Sequence, residues 1–486
     1  MQEKNLKNNV LSGLFWKFSE RILAQGVSFV VSVVLSRLLL PEHYGVVALV
    51  LIFINLANVF VTSGFSSSLV QKKDANDTDF STIFYCSLAM SLLIYVILFF
   101  ASPLIAKFYR NDLLTPVIRV IALKLPLASY NSVQHAYVQR HMIFKRFFFS
   151  TLIGTIISGI VGIIMALKGF GVWSLVAQYL TNSTIDMIVL MITVKWRPRL
   201  LFSVSSAKKL TSFGWKVLAA DLSGALFTQL RSLIIGRVYT AADLAYYNKG
   251  KQFPSLLTTN ISATIISVLF PAFANLSDNT EKVKSVTRRA VNIISYILMP
   301  LLFGLGVTAR PLVILLLTEK WLDAVPFIQI LSISSAIGII SDISLQSMKA
   351  LGRSDVLLKI EFIKKPVFFV LLVIGVRISV IAVAVTMVIY TLYSTIVNAN
   401  QLCRLIKYTF KEQLIDLAAP ILLSFSMAVC AYMPSVLIPD LHPFPLLIIQ
   451  VIIGVIYYVF ISKLLKIEAY KYIINTIRNL IKKNNT

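Results

Sequence analysis

Lysines, arginines and carboxylates recur inside stretches of this chain that are otherwise apolar, and their spacing is helical. The first such stretch carries Lys17, Glu20, Arg21, Gln25, Ser28 and Ser32, three or four residues apart and so on one helical face. A later one carries Lys216, Asp221, Ser223, Thr228 and Arg231. Another holds Arg119, Lys124, Asn131, Gln134 and His135, and a further one opens with Tyr246, Tyr247, Lys249, Lys251 and Gln252 ahead of Pro254. A charge at mid-bilayer costs at least about 2.5–3.5 kcal/mol, so it faces a partner or a wet cavity. One reading makes Lys17, Arg21, Arg119, Lys124, Lys216, Arg231, Lys249 and Lys251 the lining of a cationic cavity for an anionic cargo. The plainer reading lets Lys17 and Arg21 snorkel to one interface and Arg231, Lys249 and Lys251 to the other. The length of the stripes favours the cavity. Of the carboxylates, Glu20, Asp221 and Asp342 are candidates for coupling transport to a proton or sodium ion. Asp186 and Glu361 share that chemistry. A structural salt-bridge role is the favoured reading for each, since Glu20 adjoins Arg21 and Glu361 stands three residues before Lys364.

Such groups need helices around them, and the composition supplies them. Hydrophobic residues make up 57% and charged ones 14% of the chain, against about 25% charged in a soluble domain. The mean hydropathy is +0.81. Apolar runs long enough to span recur from end to end, about fourteen in all. They predict an all-α polytopic membrane protein. Lys and Arg concentrate in every second connection and in the basic tail, which places both termini in the cytoplasm by the positive-inside rule. The same asymmetry accounts for most of the net charge of +25, with attraction to anionic headgroups adding to it. No basic–aromatic platform for nucleic acid is present.

Other chemistry is excluded by what is missing. The four histidines lack metal-site spacing, and no phosphate loop, dinucleotide turn or H-E-x-x-H occurs, so no metal or cofactor is expected. Cys86, Cys403 and Cys430 sit in apolar segments and read as small core residues. An enzyme such as a membrane glycosyltransferase or polymerase would need clustered acid, base or metal-binding groups on a sizeable loop. Here the outer loops are short and their carboxylates scattered.

Two halves of the chain echo each other. Phe15-Trp16-Lys17 aligns with Gly214-Trp215-Lys216, the corner at Ser36–Gly45 with Gly236–Ala245, and Ala101–Ile105 with Ala309–Val313. Gly169–Val176 falls opposite Arg377–Ala384. Six spans per repeat give both copies one orientation, the parallel arrangement of transporters whose bundles rock about a central site. The expected domains are a six-helix lobe over residues 1–205, a second over 206–410, and a helix pair with a basic cytoplasmic tail over 411–486. Together they would make a V-shaped molecule.

The segment from Arg37 to Asn111 resembles the N-terminal signature of Wzx-type polysaccharide exporters. These belong to the multidrug/oligosaccharidyl-lipid/polysaccharide superfamily. An arginine-ended first helix leads into P-E-x-Y-G (Pro41–Gly45), then into Gly64-Phe65-Ser66-Ser67-Ser68-Leu69-Val70-Gln71-Lys72-Lys73. Ala101–Tyr109 and Gln134–Arg146 are similar too, and the colanic acid and teichuronic acid exporters form the branch most like this chain. The resemblance implies flipping of undecaprenyl-pyrophosphate-linked repeat units of O-antigen, capsule or exopolysaccharide across the inner membrane, through a cavity with cationic residues. Membrane lipids, a polysaccharide polymerase and chain-length regulator proteins are the implied partners. A lipid II flippase or a cation-coupled multidrug exporter would share the fold.

Overall fold

The computed structural model describes residues 23–63, 68–70, 72, 74–274 and 279–475, apart from the side chains of residues 209, 213, 216, 260–274 and 354. Fifteen main helices follow one another among the described residues, with short helical stretches at 68–70 and 468–475 besides and no strand. They are α1 (Leu23–Leu38), α2 (Pro41–Thr62), α3 (Asp77–Tyr109), α4 (Leu114–Ile121), α5 (Lys124–Arg140), α6 (Lys145–Leu167), α7 (Val172–Thr193) and α8 (Val204–Val238). Then come α9 (Ala241–Ala274), α10 (Thr280–Leu317), a 3-10 turn, α11 (Val325–Ala350), α12 (Ser354–Ile378), α13 (Val380–Ile406), α14 (Phe410–Leu437) and α15 (Pro443–Leu464).

Ten of these stretches are long and apolar enough to cross a membrane. The protein is therefore all-α and multi-pass, as expected, while a total of about fourteen is not established by that count. The shortfall has physical causes. α1 is described from Leu23 onward, α4 and α5 divide one apolar run, α9 holds Asn248, Lys249, Lys251 and Gln252, and α12 carries Lys359, Glu361, Lys364 and Lys365. The outer surface is built of side chains that water would not tolerate, such as Phe100 at 73% exposure and Ile192 at 75%. Lipid is the solvent that suits them.

Contacts divide the chain into two compact units, Met1–Ala245 and Tyr246–Thr486. In the first, α6 buries Ser150, Gly154, Ser158, Gly162 and Ala166 on one four-residue stripe. Small side chains let α7 come close where apolar burial gives no drive in lipid; Gly162 faces Gln178 and Gly154 the Asn182 carbonyl. At one end Leu69, Phe80, Ile83, Val133, Leu190 and Trp196 form a core. Arg140 donates to the carbonyls of Leu69 and Lys72, and Arg146 to that of Thr193. Cations at the ends of α5 and α6 thus satisfy backbone carbonyls, among them that of Thr193 at the C-terminus of α7.

The second unit is organised on α10, which packs on α11 and α14 around Ile294, Leu298, Leu302, Ile339 and Leu417. Polar pairs stitch α11 to α13: Ser334 to Thr391 at 2.9 Å and Asn398 to Ser341 at 2.6 Å. A clamp joins α10 to α14. Arg288 forks onto Asp416 through two bonds of 2.7 Å, Tyr408 donates to the same carboxylate at 2.7 Å, and Lys284 pairs with Glu412 at 2.8 Å. Burial and the bond to Asp416 push the Tyr408 phenol well above its ordinary range. The unit boundary falls within the start of α9 because the end of α8 packs on α2 and α3. That division describes contact; the repeat boundaries at residues 205 and 410 describe ancestry of sequence and stay a proposal.

Candidate functional site

The first unit brings a polar seam together between α5 and α7. Lys124, Asn131 and His135 share one face of α5, seven and then four residues apart, and Tyr179, Ser183 and Asp186 share one face of α7. The two helices run the same way, with an antiparallel α6 between them. The Asn131 amide donates to Asp186 Oδ2 at 3.0 Å and to the Ser183 carbonyl at 3.3 Å. His135 Nε2 stands 3.5 Å from the same carboxylate oxygen. At the other end of the seam the Lys124 ammonium lies 5.6 Å from the centre of the Tyr179 ring, within electrostatic reach of Asp186. An acid, an imidazole and an ammonium so placed can hold a proton or an anion. Helical spacing marks Asn131 and His135 as polar residues within a span, but it gives Asp186 no partner. Its partner lies fifty-five positions away in sequence, and the signal available was the matching stripe at 179, 183 and 186.

Arg119 is occupied differently. Pro103 lies inside α3 and has no N–H, so the carbonyl of Phe99 four residues earlier lacks its helical donor. Ser102 Oγ donates to that carbonyl at 2.7 Å, and Arg119 Nε reaches both it (3.3 Å) and Ser102 Oγ (3.0 Å). The guanidinium also sits 4.3 Å from the centre of the Phe99 ring.

In the second unit, Lys249 is 5% exposed with its ammonium 5.5 Å from the Trp321 ring centre, a cation–π arrangement. Lys251, two residues on and so on a different face of α9, is half-buried. Asp342 is exposed, with Lys349 and Lys364 near enough to act on its charge. Lys364, itself buried, pairs with Glu361 at 2.9 Å. On α8, Arg231 is buried and Asp221 exposed. Lys17, Glu20 and Arg21, and the side chain of Lys216, lie outside the described residues. Among the described residues no cluster of His, Cys, Asp and Glu has the makings of a metal site.

The P-E-x-Y-G corner of the sequence signature acquires a use here. Pro41 opens α2, where its missing N–H costs nothing. Tyr44 accepts from Ser36 Oγ at 3.2 Å and donates to the Ser32 carbonyl at 3.4 Å, which fixes α2 on α1. Gly45 has no Cβ, and the Ala241 backbone occupies the space one would fill. Gly236 of α8 meets the Leu49 side chain of α2 in the same way, and Tyr109 Oη donates to the Leu233 carbonyl at 3.4 Å. Together these contacts close α8 and the start of α9 onto α2 and α3.

A bundle of long apolar helices with cations buried among them is the makeup of a multi-pass membrane transporter. The chain belongs to the polysaccharide biosynthesis protein family, whose profile it matches over residues 34–326. It is 25% identical over 343 residues to the succinoglycan biosynthesis transport protein ExoT of Rhizobium meliloti strain 1021, covering 70% of this chain and 69% of ExoT. To the lipopolysaccharide biosynthesis protein WzxC of Escherichia coli K12 it is 24% identical over 438 residues, covering 88% of each. Among solved structures, the lipid II flippase MurJ in an inward closed conformation aligns with a TM-score of 0.75 at 14% identity, over 95% of this chain and 100% of that one. These comparisons bear out the Wzx-type resemblance, and they are with transport proteins and flippases, not with enzymes.

Proposed function

We propose that the protein flips undecaprenyl-pyrophosphate-linked oligosaccharide repeat units from the cytoplasmic to the outer leaflet of the inner membrane by alternating access. The observation that carries this reading is the burial of Lys249 and Arg231 among the apolar helices of a chain in the polysaccharide biosynthesis family. Positive charge held among apolar helices is expensive and therefore functional by default, and the pyrophosphate of a lipid-linked sugar is the anionic cargo that suits it. Lys17, Arg21, Arg119, Lys124, Lys216 and Lys251 complete the proposed cationic lining. Glu20, Asp221 and Asp342 are the proposed coupling groups, and the Asp186–His135 pair joins them on its geometry. About fourteen spans, two lobes in a V, and cytoplasmic termini belong to the same proposal. So do partner proteins for polymerisation and chain length. The polar stitching of α5 to α7 and of α11 to α13, at corresponding places of the two repeats, supports the internal duplication.

The test uses the native host, comparing wild type with R231Q/K249Q. Loss of surface glycan, accumulation of the lipid-linked repeat on the cytoplasmic face, and normal insertion of the variant are the expected results. Normal glycan with no accumulation would remove these cations from the passage.

A further inference from the structure

Away from the buried cations, the end of the first unit that the proposed topology places outermost carries two adjoining cavities of opposite character. One, of about 700 Å³, mixes polar with apolar lining and holds Arg110, Asn111 and Arg237 where the turn after α3 meets the turn after α8. The other, of about 610 Å³, is an apolar groove running between α3 and α8, walled by Leu104 and Phe108 on one side and Ile234 and Val238 on the other. Arg237 borders both, its guanidinium 4.8 Å from the centre of the Phe108 ring. Leu104 is 71% and Phe108 54% exposed, so the groove opens sideways. Arg110 is aimed by the left-handed turn it makes at the end of α3, with φ of 55°. Among the described residues no carboxylate lines either cavity. The nearest in sequence to the second turn, Asp243, is held by the Thr240 N–H and hydroxyl at 3.1 and 2.7 Å.

Two guanidiniums at an interface, beside an apolar trough, match one molecule that bears an anionic phosphate on a hydrocarbon chain. We propose that this mouth binds an anionic glycerophospholipid of the outer leaflet, with its phosphate on Arg110 and Arg237 and one acyl chain along the α3–α8 groove. The route of entry decides between bulk lipid and transported cargo. The polar cavity abuts Leu49, Gly236 and Ala241, which belong to the contact that closes α8 onto α2. Passage from within the protein is shut there, whereas the bilayer side is open. Because α3 supplies one wall and α8 the other, the bound lipid also ties α8 to α3 and favours the closed arrangement.

Native mass spectrometry of the full-length protein in neutral detergent tests this directly, with dioleoyl phosphatidylglycerol and dioleoyl phosphatidylcholine as probes. It reads binding itself and so stands or falls separately from the cargo. One phosphatidylglycerol should be retained with about a tenfold preference, the equivalent of one well-made charge-assisted contact. R110Q/R237Q should abolish the preference, R110K/R237K should keep part of it, and L104W should lower retention of both lipids by filling the groove. Thermal unfolding of each variant in phosphatidylcholine reports folding, and the lysine and tryptophan variants keep the test decisive where the glutamine variant fails to fold. Unchanged retention in the variants would overturn the site. Displacement of phosphatidylglycerol by undecaprenyl pyrophosphate at lower concentration than by phosphatidylglycerol itself would overturn the choice of a bulk lipid.

Discussion

Gly45→Ala puts a single methyl group between α2 and the start of α9. The added Cβ would lie 2.9 Å from the Ala241 Cα, and closer still to its carbonyl, where carbon atoms prefer about 3.5–4.0 Å. Backbone cannot rotate away as a side chain would, so the two helices must part by about 1 Å. Overpacking of this kind costs about 1–3 kcal/mol. The helix propensity of α2 improves by about 1 kcal/mol, but equally in the closed and open arrangements, so it drops out of the equilibrium between them. A shift of about 2 kcal/mol changes that ratio about thirtyfold. The assay places a cysteine at Ile235, fully buried on α8, in a background with Cys86, Cys403 and Cys430 replaced by serine. Labelling from outside by a membrane-impermeant maleimide should quicken ten- to thirtyfold, a range that follows from about 1.4–2 kcal/mol. Gly236→Ala is the control, because its clash is with the flexible Leu49 side chain; its effect should stay within a few-fold and vanish with L49A. Equal labelling of Gly45→Ala and its parent, with normal insertion, would refute the role given to this contact.

Asp416→Ala should lower the thermal unfolding temperature in detergent by the equivalent of about 2 kcal/mol, a value discounted for the partial exposure of Arg288; R288M/D416L should recover most of the loss. Tyr408 carries a raised pKa in the folded protein, so the stability it contributes is present below the ordinary phenol value of about 10 and is lost as pH rises above it. Wild type should therefore lose stability above about pH 10 more steeply than Tyr408→Phe, in melts taken across pH 8–11. Pro103→Ala restores the N–H that the Phe99 carbonyl lacks. Arg119→Gln should then be near neutral in that background and cost about 1 kcal/mol in wild type, a coupling that a double-mutant cycle of melting measurements would reveal.

The class of fold was legible because period and polarity are coarse signals that twenty-residue apolar runs repeat many times over. The signature corner was legible as a motif but not as a mechanism. Nothing in P-E-x-Y-G announces that its glycine admits the Ala241 backbone nearly two hundred positions away. Arg119 shows the opposite limit. Read from sequence it is one more cation in a span, and only the neighbouring helix reveals the Phe99 carbonyl that Pro103 leaves without its helical N–H donor. Asp186 joined no stripe with cations of its own helix, so it stood outside the expected lining. The packing of α5 on α7 supplies Asn131 and His135. Long-range pairing of this sort depends on helix rotation, which hydropathy leaves free among several apolar faces.

Passage of a lipid-linked glycan across the bilayer can be followed in proteoliposomes. With the lipid-linked repeat unit in both leaflets, an impermeant glycosidase added outside digests only the outer pool. Active protein should carry digestion from about half to completion, with R231Q/K249Q leaving it near half, as symmetry of the two leaflets requires when the charged head cannot cross alone. Digestion that stops near half with correctly inserted wild-type protein, whether or not a proton or sodium gradient is imposed, would contradict the claim.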